Sequence, residues 1–508
     1  MQIKNSKKII LLILTFILIM TIICTAGCKD ENTKTPENSD DSTTSDDENI
    51  AEETTADKIL YDKVPELDFD GYNFRILIGT FGLDGQTLFP EEQIGEILND
   101  TIFARNRKIE ERFNITLTTH IVDLGSLQPA IRKDVKSDSD SYDEYMQIDR
   151  YAYTSASEHL LYPVSDLPYV DLTRPYWCYL PNKQLTVANK LYFGFSDEML
   201  TFFEAALPLY FNKKLAQNLG IEDLYGVVRA GNWTYDKFFE TAKLAVKDTD
   251  GDGQITDADC WGIAGDGDTT YYCFWNCAGL YSVEKDENDI PYFAIPENPK
   301  FFDIGEKVID AFNAKVGLLM NSHKTKLPSY GGPATRSAES QNAKVSLFRN
   351  GHSLFMIGTI SEMVKLRDMP DDFGVLTFPK YTADQSQYYT RVYGGFPFVV
   401  PTTVQKPEIV GAVMEAMACE SRNTVIPAYY ESSLQNKYSR DTDTAEMLDL
   451  IMDTRLYDLG DTIWYDQIRL SYTEVFEKGE HAFASFTEKN QVKYQQIIDK
   501  AVDAILER

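Results

Sequence analysis

The segment from residue 72 to residue 122 restricts the fold most, because it has the pattern of a strand, a helix and a second strand in succession. Residues 72–78 and 115–122 are rich in β-branched and aromatic side chains, and apolar residues recur at helical spacing over about residues 99–113. A helix between two strands typically connects parallel neighbours in one sheet. Later segments mix helices and strands in the same way, so the sequence predicts an α/β protein.

Further elements are predicted from apolar spacing and from residues that begin helices. Pro407 suits the first position of a helix, where proline loses no hydrogen bond. The predicted helices are at about residues 233–246, 407–420 and 487–506, and the predicted strands are residues 351–357 and 373–378.

Length and charge narrow the class of protein. The chain has 508 residues, enough for two domains, and its 79 acidic against 49 basic residues give a formal net charge of −30. Nucleic acid is bound by clustered Lys and Arg, so this charge argues against nucleic acid as a partner. The five histidines have no spacing typical of a zinc hydrolase.

The N-terminal residues have the pattern of an export signal. Three lysines precede an apolar run of 15 residues at positions 9–23, which is shorter than the roughly 20 residues of a membrane-spanning helix. The run is followed by Thr-Ala-Gly-Cys at positions 25–28, which resembles a bacterial lipobox, although Thr25 stands where leucine is usual. The resemblance implies that residues 1–27 are a lipoprotein signal peptide and that Cys28 carries lipid. A plain secretory signal is the alternative.

Residues 28–57 are predicted to be an acidic, disordered tether. Positions 29–57 hold 11 acidic and 2 basic residues with almost no large apolar side chain, so the segment cannot bury enough surface to offset the entropy of ordering. No second apolar run approaches about 18 residues, as a membrane span requires. We therefore expect a soluble body tethered by its lipid to the extracellular face of a bacterial cell membrane.

The cysteines of the body form no obvious disulfide framework. They lie at positions 178, 260, 273, 277 and 419, an odd number. Cys273 and Cys277 are one helical turn apart, which suits a bridge, a pair of ligands for a soft metal, or two small buried residues.

Residues 248–259 have the spacing D-x-D-x-D-G-x-I-x-D-x-D, which is typical of a calcium-binding loop. The last position is Asp rather than the usual Glu, and its shorter side chain predicts a weaker site. An Asp- and Gly-rich turn without an ion is the alternative, and a bound Ca²⁺ would be structural. The predicted ligands are the carboxylates of Asp248, Asp250, Asp252 and Asp259 and the backbone carbonyl of Gln254.

A series of short motifs along the body occurs in a recognisable order. They lie at residues 210–215, 219–221, 231–238, 261–262, 348–353, 378–381 and 399–403. In this order, behind a lipobox, the series resembles the carbohydrate-type extracellular solute-binding proteins of ABC importers, the family that includes the maltodextrin-binding proteins.

The resemblance implies a two-lobed periplasmic-binding-protein-like fold of type II, in which a hinge closes the lobes on a ligand in the cleft between them. It places the chain crossings near residues 200, 353 and 396. The first lobe would contain residues 58–200 and 353–396, and the second lobe residues 200–353 and 396–508.

Four residues are predicted to bind the ligand. Asp149 and Arg150 follow a strand-like segment, at the strand end where α/β sheets hold ligands, and they resemble the acid and arginine that the family uses on sugar hydroxyls. Trp464 and Trp275 resemble the family's stacking aromatics, and a core position is the alternative for each. Ile360 lies where the family often has another tryptophan, which argues against maltodextrin itself.

The resulting hypothesis is a monomeric, non-catalytic receptor that captures an oligosaccharide or sugar conjugate and delivers it to an ABC permease. The chain has no Walker A motif, so energy would come from a partner ATPase. An extracellular glycosidase-type enzyme with paired carboxylates is the second hypothesis, and a calcium-dependent surface adhesin is the third.

Overall fold

A computed structural model describes residues 59–80, 88–256, 258–320, 336–434 and 442–506. The predicted signal peptide, the tether and Cys28 lie outside these residues. The strands are β1 (Tyr72–Thr80), β2 (Ile115–Asp123), β3 (Glu144–Met146), β4 (Leu161–Tyr162), β5 (Leu209–Asn212), β6 (Trp261–Asp266), β7 (Val283–Lys285), β8 (Pro291–Phe293), β9 (Gly317–Met320), β10 (Ser353–Ile357), β11 (Phe373–Leu376), β12 (Thr390–Arg391), β13 (Phe398–Pro401) and β14 (Arg455–Leu456).

Helices separate most of these strands. They are α1 (Ile97–Phe113), α2 (Leu124–Lys136), α3 (Asp149–Ser157), α4 (Tyr179–Leu185), α5 (Leu200–Glu204), α6 (Lys213–Asn218), α7 (Leu224–Arg229), α8 (Tyr235–Lys243), α9 (Gly267–Asn276), α10 (Lys300–Asn313), α11 (Arg336–Arg349), α12 (Pro407–Glu420), α13 (Ile426–Leu434), α14 (Thr442–Asp453), α15 (Leu459–Thr462), α16 (Leu470–Lys478) and α17 (Phe483–Leu506). Short π-helical segments, Ser421–Val425 and Tyr465–Arg469, precede α13 and α16. Three 3₁₀ turns are Val164–Asp166, Ile295–Glu297 and Ile360–Leu366.

The first sheet has the strand order β2-β1-β3-β13-β4. β1 pairs in parallel with β2 and β3, and Tyr72 lies opposite Ile115. The α1 helix ends at Asn114, which adopts a left-handed conformation (φ 51°) and donates its N–H to Glu110. The predicted strand–helix–strand unit is therefore confirmed, and we call the part of the chain around this sheet the first lobe.

The second sheet has the order β11-β5-β10-β6-β9 and defines the second lobe. β6 pairs in parallel with β10 and β9, whereas β5 runs antiparallel to β10 and β11. Both sheets mix parallel and antiparallel strands beneath helices, so the predicted α/β class is confirmed.

The sheets correct the predicted assignment of residues 353–396 to the first lobe. β10 and β11 pair with β5 in the second sheet, and β13 pairs with β3 and β4 in the first. The predicted crossing near residue 353 is therefore wrong, because that strand is central in the second sheet.

Three short strands lie side by side where the chain passes between the lobes. Ala206 forms an antiparallel bridge with Val392, and β12 pairs in parallel with β14. Main-chain hydrogen bonds of 2.9 Å join the Leu207 N–H to the Arg391 carbonyl and the Thr390 N–H to the Thr454 carbonyl. These residues form the hinge strands, at about residues 206–207, 390–392 and 454–456.

Aromatic side chains dominate the packed interior. Trp233 is fully buried and meets Phe238 and Phe355 with ring centres 5.8 Å away. Burial of large rings is the main stabilising contribution here, because each removes about 150–250 Å² of surface from water. Among the described residues, no helix has both the length and the apolar character needed to span a membrane.

Candidate functional site at the meeting of the two lobes

Asp149 begins helix α3 just beyond the carboxyl end of β3. Its backbone N–H donates to the Gly395 carbonyl (3.1 Å), which ties the helix start to the segment between β12 and β13. The carboxyl ends of parallel strands are where α/β sheets hold ligands, and Asp149 lies there as predicted.

The Asp149 carboxyl group is buried and receives three hydrogen bonds from the protein. Oδ1 accepts from the Arg150 N–H (2.7 Å), and Oδ2 accepts from the Gly395 N–H (3.1 Å) and the Tyr457 hydroxyl (2.9 Å). Burial raises the pKa of this carboxyl from 3.8 to about 6, against the opposite effect of the Tyr457 and backbone donors. Asp149 thus fixes α3 to the hinge segment and to the residue after β14.

Arg150 extends from α3 toward the second lobe. Its guanidinium lies 5.8 Å from the ring centres of both Tyr151 and Tyr465. Tyr465 begins the π-helical segment before α16. Arg150 is partly buried at this contact between the lobes.

Trp464 contacts the first lobe through Tyr153 of α3. The two ring centres are 5.5 Å apart at an interplanar angle of 66°, which is an edge-to-face contact. Trp464 is only 5% exposed. The structure therefore brings three predicted site residues, Asp149, Arg150 and Trp464, to one place, with Trp464 packed against Tyr153.

Asp461, three residues before Trp464 in the chain, has a buried carboxylate that two arginines contact. The Asp461 carboxylate accepts from Nε and Nη2 of Arg391 (2.5 and 2.6 Å) and from Nη1 of Arg469 (3.1 Å). Arg469 also lies over the Tyr465 ring, 3.9 Å from its centre. Because β12 carries Arg391, this charge network connects the hinge strands to the ring that Arg150 contacts.

Trp275 is not part of this group. It is fully buried, and its indole N–H donates to the Phe301 carbonyl (2.9 Å). Rings from three other helices surround it: Phe301 of α10, Tyr472 and Phe476 of α16, and Phe483 of α17. The predicted role of Trp275 as a ligand platform is therefore corrected to a core role, because no face of the ring is left for a ligand. Cys273, on the same helix, and Cys277, just after its end, are buried free thiols.

The predicted calcium loop is only partly assembled as expected. Carboxylate oxygens of Asp248, Asp250 and Asp252 lie within 4.8 Å of one another. Asp259 instead closes the loop, since its two oxygens accept from the N–H groups of Thr249 and Thr256, both at 2.7 Å. The three carboxylates supply hard oxygen donors of the kind that Ca²⁺ takes, and the hydrogen bonds of Asp259 support the loop. Calcium binding stays a prediction.

Sequence reasoning missed several residues that hold the site together. Tyr457 and Asp461 lie in a segment without a distinctive motif, and Tyr153 lies on a helix that is polar at both ends. The pair Gly394-Gly395 was the available signal. A Cβ on Gly395 would lie 2.7 Å from the Phe195 ring, so a close backbone approach requires glycine there.

Comparison by sequence finds no matching protein-family model and no matching curated protein. Comparison by structure finds many solved chains with the same fold. UspC of M. tuberculosis superposes with a TM-score of 0.55 at 14% identity, over 85% of this chain and 100% of that one. A cyclo/maltodextrin-binding protein complexed with maltotetraose gives 0.53 at 14% identity, over 86% and 98%.

A sugar transporter protein from Rhizobium etli, solved in an open conformation, gives a TM-score of 0.54 at 14% identity, over 86% of this chain and 98% of that one. The chain therefore has the two-lobed α/β fold of these proteins. The predicted resemblance is confirmed at the level of fold.

Proposed function

We propose that this protein is an extracellular solute-binding protein of an ABC importer, which captures an oligosaccharide or sugar conjugate and releases it chemically unaltered. One observation carries the proposal: Arg150 and Tyr153 of the first lobe meet Tyr465 and Trp464 of the second. Asp149 holds this helix beside the hinge strands through its hydrogen bond from Tyr457. The shared fold with sugar-binding proteins supports it.

The chemistry of these groups suits a sugar. Sugars present flat C–H faces to aromatic rings and hydroxyls to charged hydrogen-bonding groups. Because Arg150 comes from one lobe and Trp464 and Tyr465 come from the other, a ligand that contacts all three binds the closed arrangement more tightly than an open one. Binding then shifts the population toward closure, which is the state that a permease would recognise.

The proposal also includes a cellular location and partner proteins. A lipid on Cys28 and the acidic tether would hold the body at the outer face of the membrane, beside a permease driven by a separate ATPase. We propose no catalytic role, because the Asp149 carboxyl is committed to three protein donors.

A panel of oligosaccharides tests the proposal by titration calorimetry on the full-length chain, with chromatography of the sugar afterwards. Binding without any product is expected, and turnover would contradict the proposal. Replacing Trp464 by Ala should weaken binding by roughly 1.5–3 kcal/mol, as for loss of a buried aromatic anchor.

Trp464→Phe, which keeps a ring against Tyr153, should lose less affinity than Trp464→Ala. Tyr179→Ala is the matched control, since that ring is 63% exposed. Unchanged affinity in a folded Trp464→Ala protein would show that the aromatic platform lies elsewhere.

A further inference from the structure

Within the described part of the chain, the Arg150 guanidinium forms no hydrogen bond and no ion pair with the protein. A guanidinium offers five N–H donors, yet the Arg150 guanidinium lies beside two rings, those of Tyr151 and Tyr465, which cannot accept all of them. It is also partly buried, so water compensates the charge less well than at an open surface.

The neighbouring Asp149 does not fill this role. Its two carboxylate oxygens face the Arg150 N–H, the Gly395 N–H and the Tyr457 hydroxyl, so they bind the backbone and the hinge side. The guanidinium of Arg150 therefore acts on Asp149 electrostatically, without a direct ion pair.

A second guanidinium reaches the same aromatic ring. Arg469 lies 3.9 Å from the Tyr465 ring centre, and Arg150 lies 5.8 Å from it. Arg469 belongs to the second lobe and Arg150 to the first. Arg469 is already hydrogen-bonded to the Asp461 carboxylate, so the charge that Arg150 brings to this ring is the one left for an anion between the lobes.

We propose that the ligand is an acidic glycan, an oligosaccharide with a carboxylate such as a uronic acid residue, and that Arg150 binds this carboxylate. Two parallel N–H···O bonds match the fork of a guanidinium to the two oxygens of a carboxylate. A neutral sugar hydroxyl could accept a single hydrogen bond from Arg150 but would leave the positive charge of its guanidinium uncompensated. The inference rests on the proposed function and narrows its ligand from neutral to anionic sugars.

Calorimetry on the full-length chain tests this with matched sugars. The acidic probes are trigalacturonate, trimannuronate and a hyaluronan tetrasaccharide, each beside its carboxyl-reduced, neutral counterpart. At least one acidic form should bind about 10- to 100-fold more tightly than its neutral counterpart, as for a hydrogen-bonded charge pair.

Arg150→Gln should abolish that preference, and Arg150→Lys should retain part of it, because lysine keeps the charge but not the fork. Arg132→Gln is the control, since Arg132 forms a surface pair with Glu158 (2.6 Å) and should keep the full preference. Unchanged melting temperatures show that the variants are folded.

A neutral sugar that binds as tightly as its acidic counterpart would overturn this inference and leave the proposed function standing. The inference also fails, with the proposed function again intact, if Arg150→Gln weakens the binding of acidic and neutral forms equally. Failure of every sugar, acidic and neutral, to bind would overturn the proposed function together with this inference.

Discussion

The Tyr457 hydroxyl donates a hydrogen bond to the Asp149 carboxyl, and the energy of this bond depends on pH. The folded-state pKa of Asp149, about 6, lies above its ordinary value of 3.8 because the group is buried. For an acid raised in this way, the contribution to stability is complete below about pH 4 and is lost as pH rises through about 6. The Tyr457 hydroxyl offsets part of this loss by donating to the ionised form.

Tyr457→Phe should therefore destabilise the protein more at pH 8 than at pH 5. We expect about 1.5–3 kcal/mol at pH 8, where the lost hydrogen bond is to a carboxylate, and about 0.5–1.5 kcal/mol at pH 5, where Asp149 is largely protonated. Denaturant unfolding at the two pH values measures this. An equal loss at both would mean that Asp149 does not change its protonation between them.

Asp461 is the carboxylate that two buried arginines, Arg391 and Arg469, share, so its loss should destabilise the protein. In Asp461→Asn, Arg391 remains fully buried without its counter-charge, and we expect about 3–5 kcal/mol of destabilisation. Asp443→Asn is the control, because it removes a partner of Arg229 at the exposed surface, where an ion pair contributes about 1 kcal/mol or less. Comparable losses in the two variants would contradict the structural role given to Asp461.

For single residues, the sequence predicted the position correctly where a charged pair followed a recognisable element. Asp149 and Arg150 lie at a strand end as predicted, because a polar pair follows a strand-like segment; their ligand role stays a prediction. Trp275 was assigned wrongly, since the sequence around it is aromatic in either case; only the packing of α10 and α16 against α9 shows that the ring is enclosed.

Among the elements, the loop at residues 248–259 allows a test without any sugar. The three carboxylates of Asp248, Asp250 and Asp252 repel one another unless a cation lies between them. Added Ca²⁺ should raise the melting temperature of the parent protein, with about 2.7 kcal/mol of stabilisation at 100 times the dissociation constant.

Asp248→Ala should remove most of that calcium-dependent rise, whereas Asp499→Ala, an exposed change on α17, should keep it. A parent protein whose melting temperature ignores calcium would show that the loop is a turn and not an ion site.

Element identities could be predicted largely from local pattern, but strand partners could not. The predicted helix at residues 407–420 agrees with α12, and the predicted strands at 72–78 and 351–357 agree closely with β1 and β10. The sheet to which β10 belongs depends on pairing with residues more than a hundred positions away, and no local spacing encodes that pairing. The lobe boundaries were therefore wrong where the elements were right.

For the whole molecule, the three adjacent hinge strands predict a bending motion. A ligand that joins the lobes should lower the radius of gyration measured by solution scattering on the full-length chain. The Trp464→Ala protein, at the same sugar concentration, should show little change if its affinity is reduced as expected. Binding by calorimetry with an unchanged scattering curve would mean that the lobes do not move.

The interleaving of the two sheets has a consequence for the order in which the protein can fold. The last central strand of the first sheet is β13, which follows every strand of the second sheet in the chain. The N-terminal half therefore cannot finish its own sheet while it leaves the ribosome or a translocon. It must wait for residue 401, and a chain shortened just before β13 would lack an interior strand of the first sheet while it kept every strand of the second.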